Sequence, residues 1–226
     1  MKKTLFIGAT HGDEAIGVRA LQSLENVRKD FDWLIGNPRA FESGIRFTDA
    51  DLNRSAPGEA DSPVFEKRRA AEILERAQSY GTTIDLHGTV KDTGLFLILT
   101  NPKPENLALA ARIDVKRVVL WPAITPDLKS PLSEFFPTGL EIECGPMGLK
   151  KTQIELERVL NAYLDETPAR DEKEWYEVYG ELRGNPGVPL KEFEEVTIAG
   201  ETFFPLLVSV YADAYGVACY KLRRIS

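Results

Sequence analysis

Residues 4–24, TLFIGATHGDEAIGVRALQSL, change texture at Gly8. Before it, Leu5, Phe6 and Ile7 make a short apolar run, the pattern of a strand buried on both faces of a mainly parallel sheet. After it, Ile16, Val18, Leu21 and Leu24 fall on one side of a helix. The spacing starts that helix near Asp13, whose carboxylate suits the positive end of the helix dipole. A strand that feeds a helix through a polar turn is the repeating unit of an α/β fold. The alternation recurs: apolar runs at 33–36, 83–87, 95–100, 117–121 and 139–145 read as strands, and 63–81, 107–113 and 152–164 repeat apolar residues at helical intervals. The expected fold is therefore α/β, with a mixed, mostly parallel sheet flanked by helices. Residues 1–166 form its main domain. From 167 to 226 the chain becomes charged, turns at Gly184-Asn185-Pro186-Gly187 and continues in short runs of Tyr, Phe, Val and Thr, which predicts a small β-rich C-terminal unit packed on the first domain. The stretch 36–63 shows no clear element and far exceeds a typical connection of about 4 to 6 residues, a length usually associated with function.

The composition narrows the function. With 226 residues, 43% hydrophobic and 28% charged, the chain has the mixture of a folding domain and excludes a three-domain protein. Asp and Glu number 35 against 28 Lys and Arg, a net charge of −7, so no basic face is available for nucleic acid. No apolar run approaches the roughly 20 residues of a membrane span. Four residues separate Met-Lys-Lys from Gly8, too few for a signal-peptide core, and the expected location is the cytoplasm. Cys144 and Cys219 are too few for a disulfide framework and are expected reduced and buried. The sequence does not decide between a monomer and a homodimer.

The two histidines carry the chemistry. His11 follows the first strand and His87 ends the strand 83–87, so both point to the rim where α/β sheets place ligand-binding groups. The H-x-x-E offset of His11 and Glu14, on one helical turn, brings two side chains within about 5 to 6 Å. His87 would complete a His-Glu-His set with a position left for water, as in a catalytic zinc site. Asp85 shares a strand face with His87 and is a candidate carboxylate behind its ring. Alone, either histidine reads as a turn residue and H-x-x-E as a loose pattern. Their joint placement favours a metal.

The ordered motifs GATHGDE (8–14), NPRA (37–40), DADLNR (49–54), DLH (85–87) and IECGP (142–146) resemble those of the succinylglutamate desuccinylase and aspartoacylase family of zinc hydrolases, related to the M14 zinc carboxypeptidases. The resemblance spans about two-thirds of the chain. It implies a zinc carboxypeptidase-like fold and one Zn2+ per chain, held by His11, Glu14 and His87. It makes Glu143 the general base, Arg46 the cation that polarises the scissile carbonyl, and Asn53 with Arg54 the pair that fixes a substrate carboxylate. Tyr215, in ADAY (212–215), matches the family's late tyrosine, and the expected partner is a small N-acyl amino acid. Glu141 shares a strand face with Glu143; proximity to Gly145-Pro146 selects Glu143, which leaves Glu141 as a charge at a solvated strand end. Arg39 reads as structural, with Asn37 and Pro38 forming a turn.

This chain also departs from the family. Where aspartoacylases place further arginine and tyrosine contacts, residues 123–143 offer Lys129 alone and no tyrosine, so aspartate specificity does not carry over. The short C-terminal unit implies a wider mouth, open to other acylated amino acids or peptide-like substrates. Two other readings stand beside the deacylase: a small metallocarboxypeptidase, and an inactive homologue that binds a carboxylated ligand, for which loss of a ligand or the base would be the mark. All four residues are present. Cys144 fits poorly as a nucleophile, since both histidines are committed elsewhere.

Overall fold

The structure, a computed structural model, describes residues 3–121, 131–170 and 172–225. In chain order the elements are β1 (Thr4–Gly8), α1 (Ile16–Glu25), β2 (Phe31–Ile35), α2 (Pro38–Ser43), α3 (Phe65–Ala77), β3 (Thr82–Gly88), β4 (Gly94–Leu99), α4 (Pro104–Arg112), β5 (Arg117–Leu120), β6 (Gly139–Gly145), α5 (Lys150–Leu164), β7 (Glu174–Arg183), β8 (Val196–Ile198), β9 (Glu201–Leu206), α6 (Ala212–Tyr215) and β10 (Val217–Arg224). Two 3-10 turns, Leu52–Arg54 and Leu132–Phe135, lie between them. The strands join in the order β2-β1-β3-β6-β4-β5-β7-β10-β9-β8. Pairing is parallel from β2 to β6 and again from β4 through β5 to β7; β6 with β4, and the C-terminal strands among themselves, run antiparallel. This is the expected mixed, mostly parallel α/β sheet. The C-terminal strands extend it through β7, which lies alongside β5.

Side-chain alternation along the strands decides which face becomes the site. Ile84 and Leu86 of β3, and Leu140, Ile142 and Cys144 of β6, enter a core completed by Ile16, Leu21 and Leu24 of α1 and by Leu156, Val159 and Leu160 of α5. Their sequence neighbours Asp85, His87, Glu141 and Glu143 therefore project from the opposite face. Phe6 and Ile7 show the same division on β1: Phe6 joins that core, and Ile7 packs with Leu52, Ala70 and Ile73 beneath α3. Further along the polar face, Phe96 and Ile98 of β4 and Val119 of β5 begin a third cluster, which Leu206, Leu207 and Leu222 of the C-terminal unit complete.

Two local expectations are corrected. First, α1 begins at Ile16 rather than near Asp13, so His11 and Glu14 lie on a turn closed by the Glu14 N–H to the His11 carbonyl at 3.1 Å. Gly12 explains the delay. Its N–H donates to the Arg46 carbonyl at 3.0 Å, and a Cβ there would sit 2.2 Å from the Ala40 backbone, so the segment is clamped against α2 and cannot coil. Second, NPRA opens a helix. The Asn37 side chain accepts from Ala40 N–H at 3.2 Å, Pro38 takes the first turn, and Gly44 at φ 63° ends α2, so the stretch 36–63 carries this helix and a 3-10 turn.

Candidate metal centre and its cavity

His11, Glu14 and His87 come together, buried, with one potential ligand atom from each lying within 4.8 Å of the others. Both imidazoles turn the same edge inward. Nδ1 of His11 is 2.8 Å from Glu14 Oε1, and Nδ1 of His87 is 3.2 Å from Glu14 Oε2. The outward nitrogens are each backed by a carboxylate: His11 Nε2 lies 3.1 Å from Asp51 Oδ1 and His87 Nε2 lies 3.1 Å from Asp85 Oδ2. The second contact is off the hydrogen-bonding direction, so Nε2 of His87 is buried without a well-aligned partner. Asp85 is itself held by the Thr10 hydroxyl, 2.8 Å from Oδ1 and 2.9 Å from Oδ2. Carboxylates behind both rings fix their orientation and raise their basicity toward a cation. With two nitrogens, a carboxylate and room on the cavity side, the donor set fits a divalent zinc-type ion.

Burial would disfavour charge on these groups, yet their mutual contacts prevail. Burial lowers the His11 pKa, but the Glu14 charge and bonds to Asp51 and Glu14 outweigh it and raise the ring above its ordinary value. His87 rises well above its own against the same burial, driven by Asp85 and Glu14. Burial raises Glu14, but the two histidines carry it well below the carboxylate range. Glu14 also accepts from Arg46 Nη1 at 2.9 Å and from the Gly88 N–H at 3.0 Å, which fixes both its oxygens.

Glu143 stands directly across from His87 in the β3–β6 register. Burial, then the Glu14 charge, pushes its carboxyl up to about 8, with His87 opposing. Glu141, one pair down the same face, is 5% exposed and accepts from the Ser133 hydroxyl at 2.7 Å. It is a buried polar residue, in correction of the solvated strand-end charge expected for it; the 3-10 turn Leu132–Phe135 folds over that end of the strand.

A cavity of ≈ 330 Å³ opens onto this face. His11, Glu14, His87, Glu143, Arg46, Asn53, Arg54 and Tyr215 all line it, so every site residue expected from the sequence converges there. Asn53 is partly committed to the scaffold, its Oδ1 accepting from Leu132 N–H at 2.9 Å. Tyr215 is 64% exposed and lies at the rim. Lys129 falls outside the described residues. Cys144 is buried on the other face, where burial pushes its thiol well up, and Cys219 is buried too.

Sequence reasoning missed four contributors. Asp51 pairs with His11, and burial notwithstanding, that bond draws its carboxyl down to about 2. Its place in DADLNR was a signal available to find it. Tyr211 lines the cavity, and its hydroxyl is pushed up by burial and by Glu143. Tyr220 and Trp121 also line the cavity, with ring centroids 4.6 Å apart. No periodicity in the sequence marks these three rings as cavity residues.

The α/β sheet and its flanking helices recur in solved structures. Murine aminoacylase 3 superposes with a TM-score of 0.75 at 22% identity, covering 99% of this chain and 95% of that one. Succinylglutamate desuccinylase from Chromobacterium violaceum superposes at 0.71 and 16% identity, covering 100% and 85%. These likenesses establish the shared fold. The family follows from residues 1–158, which match the model of the succinylglutamate desuccinylase/aspartoacylase catalytic domain, and the chain belongs to that family. A probable aspartoacylase of Prochlorococcus marinus subsp. pastoris is 32% identical over 158 residues, 64% of this chain and 54% of that protein. One from Trichodesmium erythraeum is 29% identical over 175 residues, 69% of this chain and 60% of that protein. The matched region thus spans little more than half the length of these curated relatives. Among the described residues no helix is long and apolar enough to cross a membrane.

Proposed function

We propose that the protein is a zinc-dependent hydrolase that cleaves the amide bond of an N-acyl amino acid, releasing a carboxylate and a free amine. The observation that carries this reading is the convergence of His11, Glu14 and His87 on one point, with Glu143 across from His87 in register. Zinc, when bound there, supplies a water acidified toward a pKa of about 7 and a double positive charge that lowers the Glu143 carboxyl from its raised value.

The chain's own residues do the rest. Glu143 takes a proton from the attacking water and delivers it to the leaving amine nitrogen, a transfer worth about 10² to 10⁴ in rate. Arg46, oriented by its bond to Glu14, meets the negative charge that develops on the carbonyl oxygen. Arg54, with Asn53 beside it, holds the substrate carboxylate through a planar guanidinium. Tyr215 adds a hydroxyl at the rim, and Asp51 and Asp85 keep the histidine rings aimed. Residues 1–166 act as the hydrolase domain and 167–226 as a small unit that walls the cavity. The reading places the protein in the cytoplasm, where Cys144 and Cys219 stay reduced.

The test combines metal analysis with the Glu143→Gln variant, assayed on N-acyl amino acids and on short peptides. One zinc per chain in both proteins, with turnover of N-acyl amino acids reduced at least about a hundredfold in the variant, is the expected result. Unchanged turnover rejects Glu143 as the base. Cleavage of peptides alone would mean a metallocarboxypeptidase instead, although a volume of ≈ 330 Å³ is at the lower end of the usual range of about 300 to 1,000 Å³ and suits a single amino-acid derivative better than a chain.

A further inference from the structure

The cavity changes character along the sheet. At β3 and β6 its face presents His87, Glu143 and Glu141; one strand over, Phe96 lies opposite Glu143 and Ile98 opposite Glu141. Val119 of β5 follows opposite Ile98, and the whole of this stretch belongs to the apolar cluster that the C-terminal unit covers. The turn 207–211 then brings Leu207, Val210 and Tyr211 to the cavity wall, where Trp121 and Tyr220 meet edge to face and Tyr211 stands 6.1 Å from Tyr220. One wall of the cavity is thus made of rings and aliphatic chains.

The charges point the same way. Among the described residues, the cavity is lined by the acids Asp13, Glu14, Glu134, Glu141 and Glu143, and by two cations, Arg46 and Arg54. Arg46 is already paired with Glu14 at 2.9 Å. Among the described residues of the cavity, Arg54, whose Nη1 donates to the Asn53 carbonyl at 3.0 Å, is the guanidinium without an ion pair and so is placed to receive a carboxylate. Glu141 is buried, holds the Ser133 hydroxyl and has no ion pair among the described residues. A second carboxylate on the substrate would enter beside this buried negative charge and apolar rings, where like charge and lost hydration both oppose it.

Arg54 and the rings of Trp121, Tyr211 and Tyr220 line one cavity, so the group attached next to an Arg54-bound carboxylate, the amino-acid side chain, is the part that meets the rings. From the aromatic wall and the one guanidinium that has no ion pair among the described cavity residues, we infer that this cavity selects N-acyl amino acids with one carboxylate and an apolar or aromatic side chain, and rejects those with a second carboxylate. Aromatic walls favour such side chains through area burial and offset or edge contacts. Glu141 acts as the specificity-determining residue against dicarboxylates.

This inference rests on the deacylase reading, and the experiment separates the two. The zinc-loaded protein and its Glu141→Gln variant, which keeps an acceptor for Ser133, are assayed on N-acetylphenylalanine and N-acetylaspartate. Binding of free phenylalanine and aspartate is measured by calorimetry on the same samples. The expected result is kcat/KM at least about tenfold higher for N-acetylphenylalanine, a preference that narrows in Glu141→Gln because N-acetylaspartate improves. Equal or better turnover of N-acetylaspartate by the wild type overturns the inference and leaves the deacylase reading intact. A preference that does not narrow in the variant overturns the role of Glu141. If no N-acetyl amino acid is hydrolysed, the deacylase reading falls, and the binding data decide the inference: phenylalanine bound more tightly than aspartate upholds it, and aspartate bound as tightly ends it.

Discussion

The metal centre and the C-terminal wall of the same cavity are built differently. At the centre, each group is fixed by another: Glu14 by Arg46 and the Gly88 N–H, Asp85 by Thr10, His11 by Asp51. His11, Asp85 and His87 sit on or just beyond β1 and β3, two interior strands second and third in the sheet order. The wall is a turn and a short helix carrying Tyr211 and Tyr215, set beside Trp121 after β5 and Tyr220 on β10 with ring centroids 4.6 to 6.1 Å apart, and the turn is tied down by Glu192, whose carboxylate accepts from the N–H groups of Leu207 at 2.8 Å and Val208 at 2.6 Å. The contrast assigns labour. On the proposed reading, chemistry that tolerates little displacement is placed at strand ends, and selection, which tolerates more, on the C-terminal wall.

That division is breakable by experiment. His87→Ala is expected to abolish metal binding, with zinc near zero by elemental analysis and activity lower by on the order of a thousandfold or more; a variant that keeps full metal would remove His87 from the centre. Asp85→Asn keeps a partner for Thr10 but weakens the support behind His87, and a chelator competition is expected to show zinc affinity lower by about 10- to 100-fold. On the wall, Tyr211→Phe is expected to leave zinc content unchanged and reduce kcat/KM by about five- to tenfold, the scale of one hydrogen bond to substrate. Loss of zinc in Tyr211→Phe would show that the wall helps build the centre, and the contrast would fail.

The sequence made the centre legible because its signals are local. Apolar runs at β1, β3 and β6 announced strands, and His11, Glu14, His87 and Glu143 lay at a strand end or shortly beyond one. The Gly12 clamp was illegible because it depends on an N–H to the carbonyl of Arg46, in a loop whose own helix, six residues long, gives too little periodicity to see. Asp51 reaches His11 across 40 positions of chain: its motif DADLNR marks it as a candidate, but nothing in either neighbourhood names its partner. Glu141 was misread for the same reason: alternation placed it on the right face, but its burial comes from the turn carrying Ser133. The pairing of β7 with β5 likewise follows from tertiary assembly, since β-rich texture specifies strands but not their neighbours.

The smallest expected effect tests the strap that carries the wall. Burial raises the Glu192 carboxyl from 4.5 to about 7, against the pull of the Val208 and Leu207 N–H groups and of Arg117. Its folded pKa is thus above its unfolded value, so between pH 4.5 and 7 the folded protein holds a proton that the unfolded chain has released. The contribution of this group to stability is fully present below pH 4.5 and is lost as pH rises through about 7. Partial solvent access limits its size to about 1 to 3 kcal/mol, or a few degrees in melting temperature for a chain of this length. Glu192→Gln, which cannot ionise and keeps an acceptor for the turn, is expected to melt at a temperature that falls less than the wild type's between pH 5 and 8, with zinc content unchanged. Parallel melting curves at all pH values would mean that the N–H groups of the turn and Arg117 offset burial in full, and that ionisation of Glu192 does not loosen the wall.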